Sequence, residues 1–150
     1  MRIRSERQAA FAVPPEELWA AMARVDAYRS WWPWLRALDA AGLHTGDVWA
    51  AVVQPPLPYR LRFRIHLGEV AAPHRATAEV TGDIEGRARL EISPTATGSE
   101  LHLESELAPT HAVLRAVGMV AAPVARFGHD WVIETGLRQF RARAVPGSDL

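Results

Sequence analysis

The chain contains no cysteine and no lysine, and each absence removes a class of chemistry. Without cysteine the protein has no disulfides and no thiolate ligands for a metal ion. Without lysine it cannot form a Schiff base on a lysine side chain, which is one of the covalent mechanisms open to small domains. A chain of 150 residues with 49% hydrophobic content is nevertheless large enough to bury a stabilising core.

An excess of charge of one sign is also missing, because seventeen arginines are balanced by seventeen acidic residues. A net charge of zero does not indicate a nucleic-acid partner. No apolar run reaches the roughly 18 to 20 residues of a membrane-spanning helix, and the charged N-terminus lacks the apolar segment of a signal peptide. We expect a cytoplasmic protein of one domain, 1–150, with its core at about 3–143 and a flexible tail at 144–150.

Motifs for metal, nucleotide and nucleophile sites are absent as well. The six histidines never recur at the three- or four-residue spacing that places two ligands on one helix face. There is no Gly-x-Ser-x-Gly elbow, no phosphate-binding glycine loop and no dinucleotide fingerprint. The adjacent His129 and Asp130 are expected to point in different directions from a helix, as surface residues. We therefore expect no metal and no cofactor.

A strict alternation of apolar and polar residues predicts four consecutive strands in the middle of the chain. The clearest spans 59–67, and three more follow at 75–80, 87–92 and 100–107, the last two preceded by Gly-Asp and Thr-Gly turns. Their outward residues mix arginine and glutamate, as opposite charges on neighbouring strands favour. These segments are typical of an antiparallel meander with one buried face.

Three further strands are predicted at 3–12, 37–43 and 48–54, which gives an α+β fold with a sheet of about six to seven strands. The first strand carries Ser5 and Arg7 on the same side as its apolar residues. We interpret this pattern as a bulge that turns Arg7 to solvent, the alternative being polar groups on the inner face.

Helices are predicted at both ends of the chain. Two short ones follow the first strand, the first starting at Pro14-Pro15 and the second running from Asp26 to Ser30. Pro123 divides the C-terminal region into a helix near 110–121 and a long helix near 124–143. One face of this region has an apolar stripe that we expect to be buried: Val113, Val117, Val120, Val124, Phe127 and Trp131.

The long helix also has a second apolar set, formed by Ile133, Leu137 and Phe140, on the face away from Val124, Phe127 and Trp131. These residues must pack either on the N-terminal helices or on another subunit. We favour packing within the chain, and hence a monomer, with a homodimer as the alternative.

Small residues on the inner side of the meander, among them Ala76, Ala78 and Ala88, predict an apolar cavity under the long helix. Arg7, Tyr59 and Thr135 are the polar groups expected to project into it. The alternative is that the six tryptophans fill this space. In the same way, the tryptophans of the segment 31–34 either pack the corner between helices and sheet or form a wall of the cavity.

The segments Pro-Pro-Glu-Glu-Leu-Trp (14–19), Tyr-x-x-Trp-Trp-Pro (28–33) and Gly-Asp-Ile-Glu-Gly (82–86), followed by a long final helix, are arranged in a familiar order. The chain resembles the START-related SRPBCC superfamily in its polyketide cyclase/dehydrase-like branch. This resemblance implies a helix-grip fold, in which a curved antiparallel sheet wraps around the C-terminal helix and encloses a hydrophobic cavity. It implies a ligand entrance near Trp32-Pro33-Trp34 and Pro55–Pro58, and no universal catalytic residues.

The first hypothesis for function is therefore binding of a small hydrophobic or aromatic molecule, such as a lipid or polyketide, as carrier or sensor. The alternatives are a cyclase or dehydratase with Arg7 or Tyr59 as candidate catalytic groups, and a protein-interaction module with a filled core. The residues expected to bind the ligand are Trp32, Trp34, Trp49, Tyr59, Phe63, Ile65, Val80, Leu90, Leu103, Val120, Val124, Phe127, Trp131 and Thr135.

Overall fold

The computed structural model describes residues 2–110 and 122–146, which form one antiparallel sheet, two short helices and one long helix. The elements are β1 (Ile3–Phe11), α1 (Pro15–Met22), a single 3-10 turn (Val25–Ala27), α2 (Tyr28–Trp31), β2 (Leu35–Asp39), β3 (Val48–Val53), β4 (Leu61–Ala71), β5 (Arg75–Gly82), β6 (Ile84–Thr95), β7 (Gly98–Pro109) and α3 (Ala122–Ala144).

The seven strands lie in the order β1-β7-β6-β5-β4-β3-β2, and every neighbouring pair is antiparallel. The four-strand meander is β4 to β7, as the alternation predicts, and β1 closes one edge beside β7. This arrangement confirms the α+β helix-grip fold. The helix predicted near 110–121, with Val113, Val117 and Val120, lies outside the described residues.

The bulge predicted in β1 is wrong. The register with β7 runs unbroken from Ile3 opposite Leu107 to Phe11 opposite Ser99. Because side chains alternate along a strand, Ser5 and Arg7 remain on the inner face. Arg7 is accommodated there because α3 supplies acidic partners for its guanidinium group, as described below.

The orientation predicted for α3 is wrong in part, because Val124 and Ile133, which were expected on opposite faces, both line the cavity described below. Phe127 is 50% exposed, whereas the side that faces the sheet carries Gly128 and His129. The glycines explain this rotation, since a methyl group on Gly128 would lie 3.1 Å from the Tyr59 hydroxyl, and one on Gly136 3.3 Å from the Trp34 ring. The helix therefore places its smallest residues where the sheet and loops approach most closely.

The second apolar set of α3 packs within the chain, as predicted for Phe140. Its ring meets Phe11 edge-on at 5.8 Å and Trp31 at 5.6 Å between centroids. Phe11 and Leu18 are fully buried beside it. The helix α3 continues through Ala144.

No helix in the described part of the chain is both long and apolar enough to cross a membrane.

Candidate functional site

A cavity of about 320 Å³ lies between the inner face of the sheet and the first half of α3. Strands β3 to β7 form its floor, α3 forms its roof, and the α2–β2 corner closes one side. Small residues at Ala51 and Ala88 line the space and occupy little of it. The wall is almost entirely apolar.

Most residues expected to bind a ligand lie on this wall. They are Trp32, Trp34, Trp49, Tyr59, Phe63, Ile65, Val80, Leu103 and Val124. The structure thus brings together side chains from the strands, the loops and α3. Their contact with a ligand stays a prediction.

The other expected residues lie elsewhere. Leu90 packs against the hydrophobic core beyond the end of the cavity. Phe127 faces solvent, Trp131 is half-buried beside the wall, and Thr135 is buried without reaching the cavity. Phe127 was misplaced because its side of the helix faces solvent instead of the sheet. Val120 lies outside the described residues.

The tryptophan segment both packs the corner and lines the cavity. Trp32 and Trp34 stack with their ring centroids 5.5 Å apart. The indole N–H of Trp32 donates to the Gly136 carbonyl at 3.0 Å, and that of Trp34 donates to the Gln139 side chain at 2.9 Å. Both rings are therefore fixed to α3 while one surface of each faces the cavity.

Tyr59 provides an uncommitted hydrogen-bond donor on the wall. The other aromatic donors are engaged, since Trp49 donates to the Gly42 carbonyl at 2.7 Å and Tyr28 to the Met22 carbonyl. Among the described residues, the Tyr59 hydroxyl has no such partner. Burial raises the pKa of Tyr59, because the charged phenolate is poorly solvated there. The group therefore stays protonated and able to donate.

A second polar group on the wall joins β7 to α3. The Ser105 hydroxyl lies 3.3 Å from Nε2 of His129, and Nδ1 of His129 lies 3.2 Å from Oδ1 of Asp130. Ser105 and His129 both line the cavity, and the His129 side chain is only 10% exposed. The expectation that His129 and Asp130 are unrelated surface residues is wrong, because the imidazole folds between the helix and the sheet, where Asp130 can reach it.

Arg7 holds this group from the side of β1. Its guanidinium group lies 3.5 Å from Oδ1 of Asp130 and 3.3 Å from Oε1 of Glu134, both on α3. Arg7 is thus absent from the cavity wall and sits behind the hydrogen-bonded group as a strut between sheet and helix. Sequence reasoning singled out Arg7 but not Ser105 or His129. The signal available was a serine between two inward leucines, Leu103 and Leu107, of β7.

The outer face of the sheet carries one cluster with metal-ligand chemistry among the described residues. The ligand atoms of Glu6, His102 and Glu104 all lie within 4.8 Å of one another. Spacing along the sequence could not show this group, because it forms across β1 and β7. His102 already bonds to Glu6 at 2.8 Å, so ordinary cross-strand pairing accounts for the cluster.

A sheet that grips a long C-terminal helix over an apolar cavity defines the START-related class of proteins. The chain belongs to the family described as polyketide cyclase / dehydrase and lipid transport, whose model matches residues 2–145. This membership confirms the resemblance seen in the sequence. A comparison with curated proteins found no match.

Solved structures are similar in fold at low sequence identity. The protein TTHA0849 from Thermus thermophilus has a TM-score of 0.77 and 14% identity, over 99% of this chain and 100% of that one. The di-domain ARO/CYC BexL of the BE-7585A biosynthetic pathway has a TM-score of 0.76 and 11% identity, over 96% and 50%. A point mutant of Thalictrum norcoclaurine synthase has a TM-score of 0.57 and 13% identity, over 92% and 96%.

Proposed function

We propose that the protein binds one small hydrophobic or aromatic molecule, such as a lipid or polyketide, in the cavity under α3, and acts as its carrier or sensor. The observation that carries the proposal is an apolar space of about 320 Å³ in the interior. Pockets for small molecules are typically apolar spaces of about 300 to 1,000 Å³ with a few placed polar groups. This cavity lies at the small end of that range.

The shape of the wall favours a flat ligand. Trp32, Trp34 and Trp49 present aromatic surfaces that suit stacked or edge-on contact with another ring. Tyr59 offers one donor, so a ligand with a carbonyl or hydroxyl oxygen gains a hydrogen bond that a plain hydrocarbon does not. We therefore expect an aromatic ring system with one or few oxygen atoms to bind best.

The second candidate function is catalysis of cyclisation or dehydration on a substrate folded in the cavity. The observation that favours it is the presence of Tyr59, Ser105 and His129 on one wall. The similarity to the ARO/CYC structure concerns the fold, and a fold alone does not carry an activity. A third expectation, an interaction module with a filled core, does not agree with the cavity.

Native mass spectrometry of the protein purified from its host, followed by solvent extraction, tests binding directly. We expect a mass above that of the chain alone and one extracted apolar compound. A bare chain whose tryptophan emission is also unchanged by a panel of lipids, polyketides and quinones would contradict the proposal. Trp32, Trp34 and Trp49 make this emission a suitable reporter, since they line the cavity.

A cytoplasmic monomer that needs no metal or cofactor is part of the same proposal. Sedimentation of the purified protein at micromolar concentration tests the assembly state. A dimer that Phe140→Glu dissociates without unfolding would show that the buried Phe140 surface belongs to an interface instead.

A further inference from the structure

We propose that Ser105 is a nucleophile activated by His129, and that this wall of the cavity hydrolyses carboxylic esters of small apolar or aromatic molecules. The inference rests on the proposed function in one respect, because the ester must first enter the apolar cavity. It goes beyond binding in that it assigns a reaction and the groups that perform it.

The proton positions follow from the chemistry of the three groups. An ionised carboxylate only accepts hydrogen bonds, so the 3.2 Å contact with Asp130 places the ring proton on Nδ1 of His129. Nε2 is then left unprotonated and accepts from the Ser105 hydroxyl at 3.3 Å. The same roles of hydroxyl, imidazole and carboxylate recur in serine hydrolases of unrelated folds.

The hydroxyl oxygen is the reactive atom that this group presents to the cavity. Nδ1 of His129 faces Asp130 and Nε2 faces Ser105, so the Ser105 hydroxyl is the first group from which the imidazole can take a proton. A relay that ends in a hydroxyl suits nucleophilic attack on a carbonyl carbon. Ser105 lies between Leu103 and Leu107 on the inner face and lines the cavity with them.

Arg7 is a positioning residue for this group. It lies 3.5 Å from the same Asp130 oxygen that faces His129, and 3.3 Å from Glu134. A cation at that place attracts the carboxylate and fixes its orientation toward His129. The inward position of a charged residue on β1 then has a functional explanation as well as a structural one.

The reaction needs only water and side chains of this protein. The Ser105 oxygen bonds to the acyl carbon while its proton passes to Nε2 of His129, and the carbonyl electron pair moves to the carbonyl oxygen. The cavity wall also carries the uncommitted Tyr59 hydroxyl, a donor for a negative oxygen that comes within its reach. As the carbonyl re-forms, the bond to the leaving alcohol breaks and His129 protonates it. Water then repeats the sequence at the acyl carbon and releases the acid and the free serine.

Labelling with an alkyl fluorophosphonate, read by intact mass and peptide mapping, tests the assignment on the whole protein. We expect one adduct, located on Ser105. His129→Gln should slow labelling about 100-fold or more, since general-base assistance contributes about 10² to 10⁴ in rate. Asp130→Asn should also slow it and should change the pH profile of labelling, which a purely structural role would not do.

Ser5→Ala is the matched control. Ser5 lies directly opposite Ser105 in the β1–β7 register, and its buried hydroxyl has no partner among the described residues. This variant should label at the wild-type rate, and Ser105→Ala should not label. Hydrolysis of 4-nitrophenyl butyrate should likewise proceed at the wild-type rate in Ser5→Ala and be lost in Ser105→Ala.

A parallel titration with the apolar fluorophore N-phenyl-1-naphthylamine separates the two proposals. Wild-type protein that binds the fluorophore but forms no Ser105 adduct overturns the nucleophile and leaves the binding function standing. Protein that neither binds nor labels overturns both. Labelling of Ser105→Ala at the wild-type rate also contradicts the assignment.

Discussion

The interior of this protein has a filled half and a hollow half, and α3 passes over both. In the filled half, toward the C-terminal end of α3, Phe140 meets Phe11 and Trp31 edge-on. In the hollow half, under the first turns of α3, Ala51 and Ala88 leave a cavity of about 320 Å³. The same sheet and the same helix thus build a core at one end and a site at the other.

The difference shows how one helix can serve stability and function separately. Aromatic side chains fill the space where α3 meets β1 and α2. Close packing there stabilises the fold mainly because it buries apolar surface. The hollow half gives up such contacts, but it presents Tyr59, Ser105 and His129 to the space that remains. Substitutions in the filled half should therefore lower the free energy of unfolding, and substitutions in the hollow half should instead lower ligand affinity.

The largest effect is expected from Phe140→Ala in the filled half. Removing a buried ring should lower the free energy of unfolding by about 3 to 5 kcal/mol. Phe127→Ala, the same change at an exposed position of the same helix, should cost less than about 1 kcal/mol. Denaturant unfolding of both variants measures this contrast. Equal losses would show that the described packing of α3 is wrong.

Ala88→Phe should have the opposite signature, because Ala88 lines the hollow half. The ring should occupy the cavity and reduce the affinity for N-phenyl-1-naphthylamine about tenfold or more, or about 1.4 kcal/mol. The free energy of unfolding should change by less than about 1 kcal/mol, since the space is already open. Ala10→Phe, on the exposed face of β1, is the control and should leave the affinity unchanged. Unchanged affinity in Ala88→Phe would place the binding site elsewhere.

A smaller effect should distinguish the polar contact from the apolar wall. Tyr59→Phe removes the uncommitted hydroxyl and should weaken binding of 1-acetonaphthone by about 1 kcal/mol, the net value of one hydrogen bond. Binding of 1-ethylnaphthalene, which has no carbonyl, should not change. Calorimetric titration of both ligands gives the comparison. An equal loss for the two would mean that the substitution altered the shape of the cavity.

The smallest effect should come from Glu106 on the outer face. A hydrogen bond from Arg2, helped by the charges of Arg2, Arg4 and Arg87, lowers the pKa of Glu106 below its usual range. A carboxyl group whose pKa is lower in the folded than in the unfolded state stabilises the fold at a pH above its unfolded-state pKa. That contribution is lost as the pH falls through the folded-state pKa.

The midpoint of thermal unfolding should therefore be slightly higher for the wild type than for Glu106→Gln at neutral pH. The gap should close as the pH falls through the lowered pKa of Glu106, and it should shrink in roughly 1 M salt. Probe affinity should not change, because this residue faces away from the cavity. A gap that widens on acidification would contradict a lowered pKa of Glu106 in the folded state.

The sequence was sufficient to predict the sheet because the alternation of apolar and polar residues is a local pattern within each strand. Strict alternation located β4 to β7, and Ala88 on the inner face pointed to the cavity that it lines, whereas Ala76 and Ala78 pack with the core. The family motifs at 14–19 and 28–33 added the order of the remaining elements. Period and motif together therefore predicted the fold and most of the wall.

The orientation of α3 and the Ser105 group could not be predicted in this way. An apolar stripe indicates which side of a helix is hydrophobic. Gly128 and Gly136 determine which side can approach Tyr59 and Trp34 closely. Ser105 and His129 are 24 residues apart and meet only because a strand and a helix cross. Periodicity along one element holds no information about such a contact.

A crystal structure of the protein with N-phenyl-1-naphthylamine tests the central claim most directly. We expect one fluorophore molecule in the hollow half, against Ala88 and Val80 on the sheet and Val124 on α3, with the packing around Phe140 unchanged. A collapsed cavity, or fluorophore bound only on the exposed surface beside Phe127, would contradict the division of the interior into a core and a binding site.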